Sequence, residues 1–191
     1  MMPSLVASPD PAVWVHVPAT YPDRRGDDPG AWARSVAVDY GPPDDSSREV
    51  FERLMADLAE GETGHDGAVY LYLPNDLGRM AKVRLLTGPT AGLADLEAPA
   101  SPLAPAADVL ESAYLGPVTR TLSAGLAHPS SDDLLVTVTY RWDLEGGTSV
   151  LLTLSTLDPG QAVGMLEELD EFADNLWLED SSGGHDATGG P

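Results

Sequence analysis

Cysteine is absent from this 191-residue chain, which excludes disulfides, thiolate metal ligands and a cysteine nucleophile. Its absence says little about compartment, because a cysteine-free protein works anywhere. Basic residues are scarce: 10 Lys and Arg stand against 31 Asp and Glu, a formal net charge of −21. Phosphate backbones and anionic lipid surfaces repel such a chain, so neither nucleic acid nor membrane is expected as a partner. The deficit is sharpest at the C-terminal end, where no Lys or Arg follows Arg141. No apolar run approaches the roughly 18 residues of a membrane span. The start, "MMPSLVASPD", has no basic region and only a short apolar run before Pro9 and Pro11. It does not read as a signal peptide, and the expectation is a cytoplasmic chain.

Catalytic and metal signatures are missing too. His16, His65, His128 and His185 are scattered singly, without the paired spacing that a zinc site on one helix requires. The acidic pairs Asp27–Asp28, Asp44–Asp45 and Asp132–Asp133 lack the alternate oxygen ligands and closing Glu of a calcium loop. No Ser lies in a nucleophile elbow, and no glycine run matches a phosphate-binding loop. No catalytic residue, metal or cofactor is therefore expected, and the chain does not read as an enzyme.

What is present is a globular composition, 42% hydrophobic and 21% charged, interrupted by 19 Gly and 17 Pro. Residues 12–178 are expected to form one domain, after a flexible N-terminus over 1–11 and before a disordered acidic, Gly- and Ser-rich tail over 179–191. In "VWVHVP", Val13, Val15 and Val17 alternate with Trp14 and His16, the period of a strand, so His16 reads as a strand residue. "DDPGAWARSVAVDYG" offers Asp28 as an N-cap and Pro29 at the first helical position, with Trp32, Val36 and Tyr40 on one helical stripe. Strand spacing fits the same three residues. "SSREVFERLMADLAEG" predicts a helix in which Ser46 and Glu49 form a capping box. Val50, Phe51, Leu54, Met55 and Leu58 make its apolar stripe, and Gly61 closes it.

"GAVYLYLP" (67–74) and "AKVRLLTG" (81–88) read as a hairpin around "PNDLG". The proline-broken stretch from Gly88 to Asp108 reads as a surface excursion. Three further strands follow, "GPVTRTLSAG", "DLLVTVTYRW" and "TSVLLTLSTL", the last two joined by "DLEGG". The predicted class is α+β, an antiparallel sheet packed by amphipathic helices with the C-terminal helix on the sheet.

That helix spans "DPGQAVGMLEELDEFADNLW", residues 158–177, with Asp158 as cap, Pro159 at the first helical position and Gln161 completing the box. At 100° per residue, Ala162, Met165, Leu166, Leu169, Phe172, Ala173 and Leu176 fall within an arc of roughly 120°. Glu167, Glu168, Asp170, Glu171 and Asp174 take the other side, and are expected to be exposed. Exposure argues against general acid–base work. It leaves Glu167, Glu168, Glu171 and Asp174 as a candidate surface for a basic protein partner, although a charge run ordinarily marks a solvated face.

A second candidate lies on the strands. Thr119, Thr121 and Ser123 share one face of their strand, as do Thr137, Thr139 and Arg141, and Thr153 and Ser155. Such a stripe of hydroxyls with Arg141 can orient a partner's backbone or a small polar ligand, although Thr is also simply a good strand former. Arg120 alternates with Val118 and Leu122 on the apolar face, where it needs a carboxylate partner or an edge to snorkel from.

The order "WVHVP", "AWARSVAVDYG", "SREVFERLMADLAEG", "GAVYLYLP", "VTRTLSA", "LLVTVTYRW", "TSVLLTLSTLDP", "MLEELDEFADNLW" resembles small actinobacterial proteins of unknown function. Its antiparallel strands closing in an amphipathic helix are similar to the PsbP-like fold, which includes a photosystem extrinsic subunit, mycobacterial LpqN lipoproteins and a Ran-binding nuclear import factor. The resemblance implies an α/β/α sandwich and a non-enzymatic adaptor or binding protein. It carries no site residue over, and the lipidated cysteine of the lipoproteins has no counterpart here. The alternatives are an immunity or inhibitor protein that masks a basic toxin or nuclease, and a secretion-associated protein, for which "YGPPD" (Tyr40 to Asp44) has the aromatic-to-acid spacing of a type VII signal.

Overall fold

In the computed structural model, residues 4–75, 79–93, 105–128, 130 and 132–179 are described. Helix α1 (Pro29–Tyr40) begins where the capping chemistry places it, with the Asp28 carboxylate accepting the Ala31 N–H at 2.7 Å and Pro29 at the first helical position. Its stripe buries Trp32, Ala33, Val36 and Ala37. Helix α2 (Asp45–Glu62) starts earlier than the Ser46 box predicts, because the Asp44 carboxylate accepts the Ser47 N–H at 2.8 Å and caps the helix two residues sooner. It also runs past Gly61 to Glu62, which is held by Lys82 and Arg84. The tertiary ion pairs decide that end. The α2 stripe is narrower than predicted as well: Phe51, Met55 and Ala59 are buried, whereas Val50 and Leu54 are exposed, 61% and 48%. The "YGPPD" segment forms the turn between the two helices, with the Tyr40 hydroxyl donating to the Pro11 carbonyl at 2.6 Å.

Among the described residues, seven antiparallel strands form the main sheet. They are β2 (Trp14–Val17), β3 (Ala68–Tyr72), β4 (Ala81–Pro89), β5 (Ala106–Ser112), β6 (Gly116–Leu126), β7 (Leu134–Leu144) and β8 (Thr148–Thr156), in the order β2-β3-β4-β8-β7-β6-β5. The β3–β4 pairing and the β7–β8 hairpin match the sequence reading. Gly146 and Gly147 close that hairpin at φ of 80° and 74°, a conformation that side chains with a Cβ resist. The expected excursion over 88–108 is shorter at both ends: β4 runs to Pro89, a single turn α3 (Thr90–Leu93) follows, and β5 opens at Ala106. Residues 94–104 of it lie outside the described residues.

The C-terminal helix is not continuous. It divides into α4 (Pro159–Gly164) and α5 (Leu166–Asp174), and the chain then extends as β9 (Leu176–Glu179). Gly160 and Gly164 weaken the first segment, and Met165, at φ −97° and ψ 0°, turns its N–H toward the carbonyls of both Gln161 and Val163. Gln161 does not serve as a capping-box residue, since its side chain instead accepts from Thr156 at 2.6 Å and donates to the Met80 carbonyl at 2.6 Å. Strand β9 pairs antiparallel with β1 (Ser4–Ala7) in a separate two-stranded ribbon. The expected flexible N-terminus is thus tied down from Ser4, because Leu5 and Ala7 have apolar surface to bury against the core. Of the tail expected over 179–191, Glu179 ends β9 and the remainder lies outside the described residues.

Alternation along the strands divides the core in two. One face of the sheet sets Val83, Leu85, Val138, Tyr140, Trp142, Leu152 and Leu154 against Ala162, Met165, Leu169, Phe172 and Leu176. The opposite face at its β2–β3 end sets Val15, Val17, Val69 and Leu71 against α1 and α2. The architecture is mixed α+β with a large antiparallel sheet. No helix among the described residues is long and apolar enough to cross a membrane.

Leu169 is fully buried on this sheet, so Leu169→Ala should destabilise by about 3 kcal/mol in urea melts through lost burial and the cavity left behind. Removing residues 1–7 should also lower the melting temperature, at a cost of about 1–3 kcal/mol, as β9 loses its strand partner and the core loses Leu5 and Ala7. A truncated chain that melts like the parent would show the β1–β9 ribbon to be energetically irrelevant.

Candidate functional site

The five acids of α5 do not share one exposed face. Asp170 turns toward the sheet, where Arg120 Nη1 donates to both its oxygens at 3.1 and 2.9 Å and the Tyr140 hydroxyl donates to Oδ1 at 2.5 Å. Arg120 Nη2 also donates to Asp108 of β5 at 3.1 Å. The oddly placed arginine therefore has its carboxylate partners, two of them. Burial alone would lower the Arg120 pKa, but its hydrogen bonds with Tyr140 and Asp108 and the Asp170 charge outweigh this and raise it. Burial, with the hydrogen bond to Asp170, pushes the Tyr140 hydroxyl above its ordinary value, so it remains a donor. Glu168 is half-buried and accepts the Tyr72 hydroxyl at 3.3 Å, and Asp174 accepts the Ala113 N–H at 3.1 Å.

Only Glu167 and Glu171 keep the purely solvent-facing role expected of all five. The correction has a geometric cause. A helix pressed on a wide sheet touches it with its flanks as well as its apolar line, and α5 carries Glu168, Asp170 and Asp174 on those flanks. The predicted basic-partner set of Glu167, Glu168, Glu171 and Asp174 is thus split between surface and scaffold.

The hydroxyl stripe is in register across three strands. Thr121 lies opposite Thr139 and Thr139 opposite Thr153, while Ser123, Thr137 and Ser155 form the next row, and Thr119 faces Arg141. Thr137 and Thr139 are buried, Thr121 and Arg141 half-buried, and Thr119 exposed. The Thr137 and Ser155 hydroxyls bond each other at 3.1 Å, and Arg141 Nε donates to Asp143 at 2.9 Å. Asp143 also accepts the Ser149 hydroxyl at 2.6 Å. That bond, together with Arg141, holds the Asp143 carboxyl below the usual range. Much of this candidate set is thereby engaged within the sheet.

Strand β5, which the proline-rich context concealed, adds a third feature. It pairs with β6 and forms one edge of the sheet. Residues 106–109 and Glu111 are exposed, Val109 by 76%. Its far end is anchored by Ser112, whose hydroxyl accepts from buried Trp142 Nε1 at 3.1 Å. Between β5–β6 and α5 runs a cleft of about 260 Å³, walled by Leu110, Glu111, Val118, Tyr140, Asp170 and Asp174. Around the hairpin turn lies an apolar cavity of about 490 Å³ lined by Tyr114, Leu115, Leu144, Trp177 and Leu178. The signal that could have revealed β5 was Arg120, whose orphan charge requires an acid, and Asp108 stands directly across from it.

Among the described residues no group of three or more His, Asp or Glu side chains is arranged to hold a metal ion. No protein-family model matches the chain, and no curated protein matches it.

The split among the α5 acids is measurable. Asp170→Ala strips the acceptor from Tyr140 and a charge partner from Arg120, and should cost about 1–3 kcal/mol in chemical denaturation. Glu171→Ala on the exposed side should stay within about 0.5 kcal/mol of the parent. Equal costs for the two would contradict the division into scaffold and surface.

Proposed function

We propose that this chain is a cytoplasmic, non-enzymatic adaptor that binds a second protein along the β5 edge, accepting from it an extended segment that carries Lys or Arg. The observation that carries this reading is the edge itself. A strand whose outer row of N–H and C=O groups has no neighbour in the sheet among the described residues is a template for an added strand, and main-chain hydrogen bonds then supply affinity. Glu111 of β5 and Asp174 of α5 line the adjoining cleft, so a cationic segment meets complementary charge. The aromatic cavity beyond the hairpin turn offers a place for an apolar anchor side chain.

The segment order that resembles the PsbP-like fold supports a binding role in the same sense. The net charge of −21 also favours masking of a basic enzyme, and on that second reading the captured partner loses its activity when bound.

The test is capture from the native cell extract by the wild type and by Val109→Lys and Glu111→Lys/Glu171→Lys variants, followed by kinetics with the purified partner. The wild type should retain one basic protein whose association rate falls as salt rises, since exposed charges act through a field screened over about 8–10 Å. Both variants should slow capture about tenfold or more, with hydrogen-exchange protection of residues 106–111 in the wild-type complex alone. Unchanged capture by Val109→Lys would remove β5 as the docking edge.

A further inference from the structure

Lys82 is the only lysine in the chain, and it stands two residues from Arg84 on β4. Both alternate with core residues Val83 and Leu85 and so project from the sheet face opposite α5. Glu62, at the end of α2, joins them: Lys82 Nζ donates to Oε1 at 2.8 Å and Arg84 Nη2 to Oε2 at 2.6 Å. Burial alone would raise the Glu62 pKa, but the hydrogen bond from Lys82 and the charges of Lys82, Arg84 and His65 outweigh it and hold the carboxyl below its usual range. Two cations and one carboxylate leave a residual positive charge at this point of a strongly anionic molecule.

Beside the trio lies a cavity of about 260 Å³ lined by Lys82, Arg84, Leu86, Thr153 and Ser155. Thr153 lies directly across from Arg84 in the β4–β8 register. The cavity thus has cationic donors on one strand, hydroxyls on the next and one apolar side chain. Glu62 engages a single nitrogen of Arg84, and a guanidinium carries five N–H donors, so donors remain for a second acceptor.

We propose that this cavity binds a small organic monocarboxylate. Its carboxylate is held by Arg84 and Lys82 with hydrogen bonds from the Thr153 and Ser155 hydroxyls, and its hydrocarbon body lies on Leu86. One negative charge matches the single residual positive charge, whereas a second would stand uncompensated in the field of the chain. A cavity of this size takes a ligand smaller than the usual contents of drug-sized pockets. The site is built on β4 and β8, with β7 and β6 between it and the β5 edge, so the two surfaces can be tested independently.

The probe is hexanoate, titrated into the full chain labelled with nitrogen-15, alongside hexanamide and inorganic phosphate. Hexanoate should give saturable shifts at the amides of Arg84, Thr153 and Ser155, and hexanamide, which keeps the body and lacks the charge, should bind about tenfold or more weakly. Arg84→Gln should abolish the effect. Because that change also disturbs Glu62, Thr153→Val and Arg84→Lys serve beside it: the first keeps every charge and should weaken hexanoate severalfold, and the second keeps the pairing with Glu62 while losing the planar fork. No saturable shift with hexanoate, equal binding of hexanamide, tighter binding of phosphate, or hexanoate affinity unaltered in folded Thr153→Val and Arg84→Lys would each overturn the proposal.

Discussion

A wide antiparallel sheet with an apolar face must have that face covered, and the coverage here is unequal on the two sides. On one side Val, Leu, Tyr and Trp residues of β2, β3, β4, β6, β7 and β8 pack beneath α4 and α5. On the other, the apolar cluster of α1 and α2 packs mainly on β2 and β3, and α2 reaches β4 through the Glu62 ion pairs. Residue chemistry follows this division. Beneath α4 and α5 the packed positions are mainly aliphatic or aromatic, with Arg120 a charged exception, and on the side away from α5 strands β6, β7 and β8 carry mainly Thr, Ser and Arg beside buried Leu151. The hydroxyl rows, the Lys82–Glu62–Arg84 trio and its cavity all belong to that partly covered side.

The covered side carries a polar lock of its own. Arg120 projects into the interface between α5 and the sheet, where an unpaired guanidinium is costly. Asp170 and Asp108 approach it from a helix and from the edge strand, and Tyr140 completes the set from β7. A purely apolar interface tolerates sliding of a helix along a sheet, whereas these directional bonds fix where α5 lies. The same network joins β5 to the body of the fold through Asp108. An edge strand with five of its side chains exposed is thereby held in register by polar contacts more than by burial.

The acidic composition acts through this arrangement unevenly. Asp28, Asp44 and Asp158 cap helices, Asp108, Asp170 and Glu62 neutralise cations, and Asp143 orders the end of the β7–β8 pair. Once those are assigned, the carboxylates along α5 that face water reduce to Glu167 and Glu171 with part of Asp174. Acidity concentrated beside β5, the end strand of the sheet among the described residues, has two physical consequences at once. Like charges keep identical edges apart, and the local field is attractive to cations of any kind.

Local chemistry made much of the architecture legible from the chain alone. Asp28–Pro29 started α1, period-two alternation marked β2, β3, β4, β6, β7 and β8, Gly146–Gly147 closed a hairpin, and the apolar line of Leu169 and Phe172 identified the helix that covers the sheet. These features depend on neighbours within a few residues, which is what a sequence records directly. Long-range partners decided the rest. β1 and β5 are strands because β9 and β6 lie beside them, α2 ends where Lys82 and Arg84 meet Glu62, and Asp170 faces inward because Arg120 waits fifty positions away in the chain. An acid on the flank of a helix has no local mark that separates solvent from a buried cation. That choice is made when the helix docks, by the desolvation cost of leaving Arg120 unpaired.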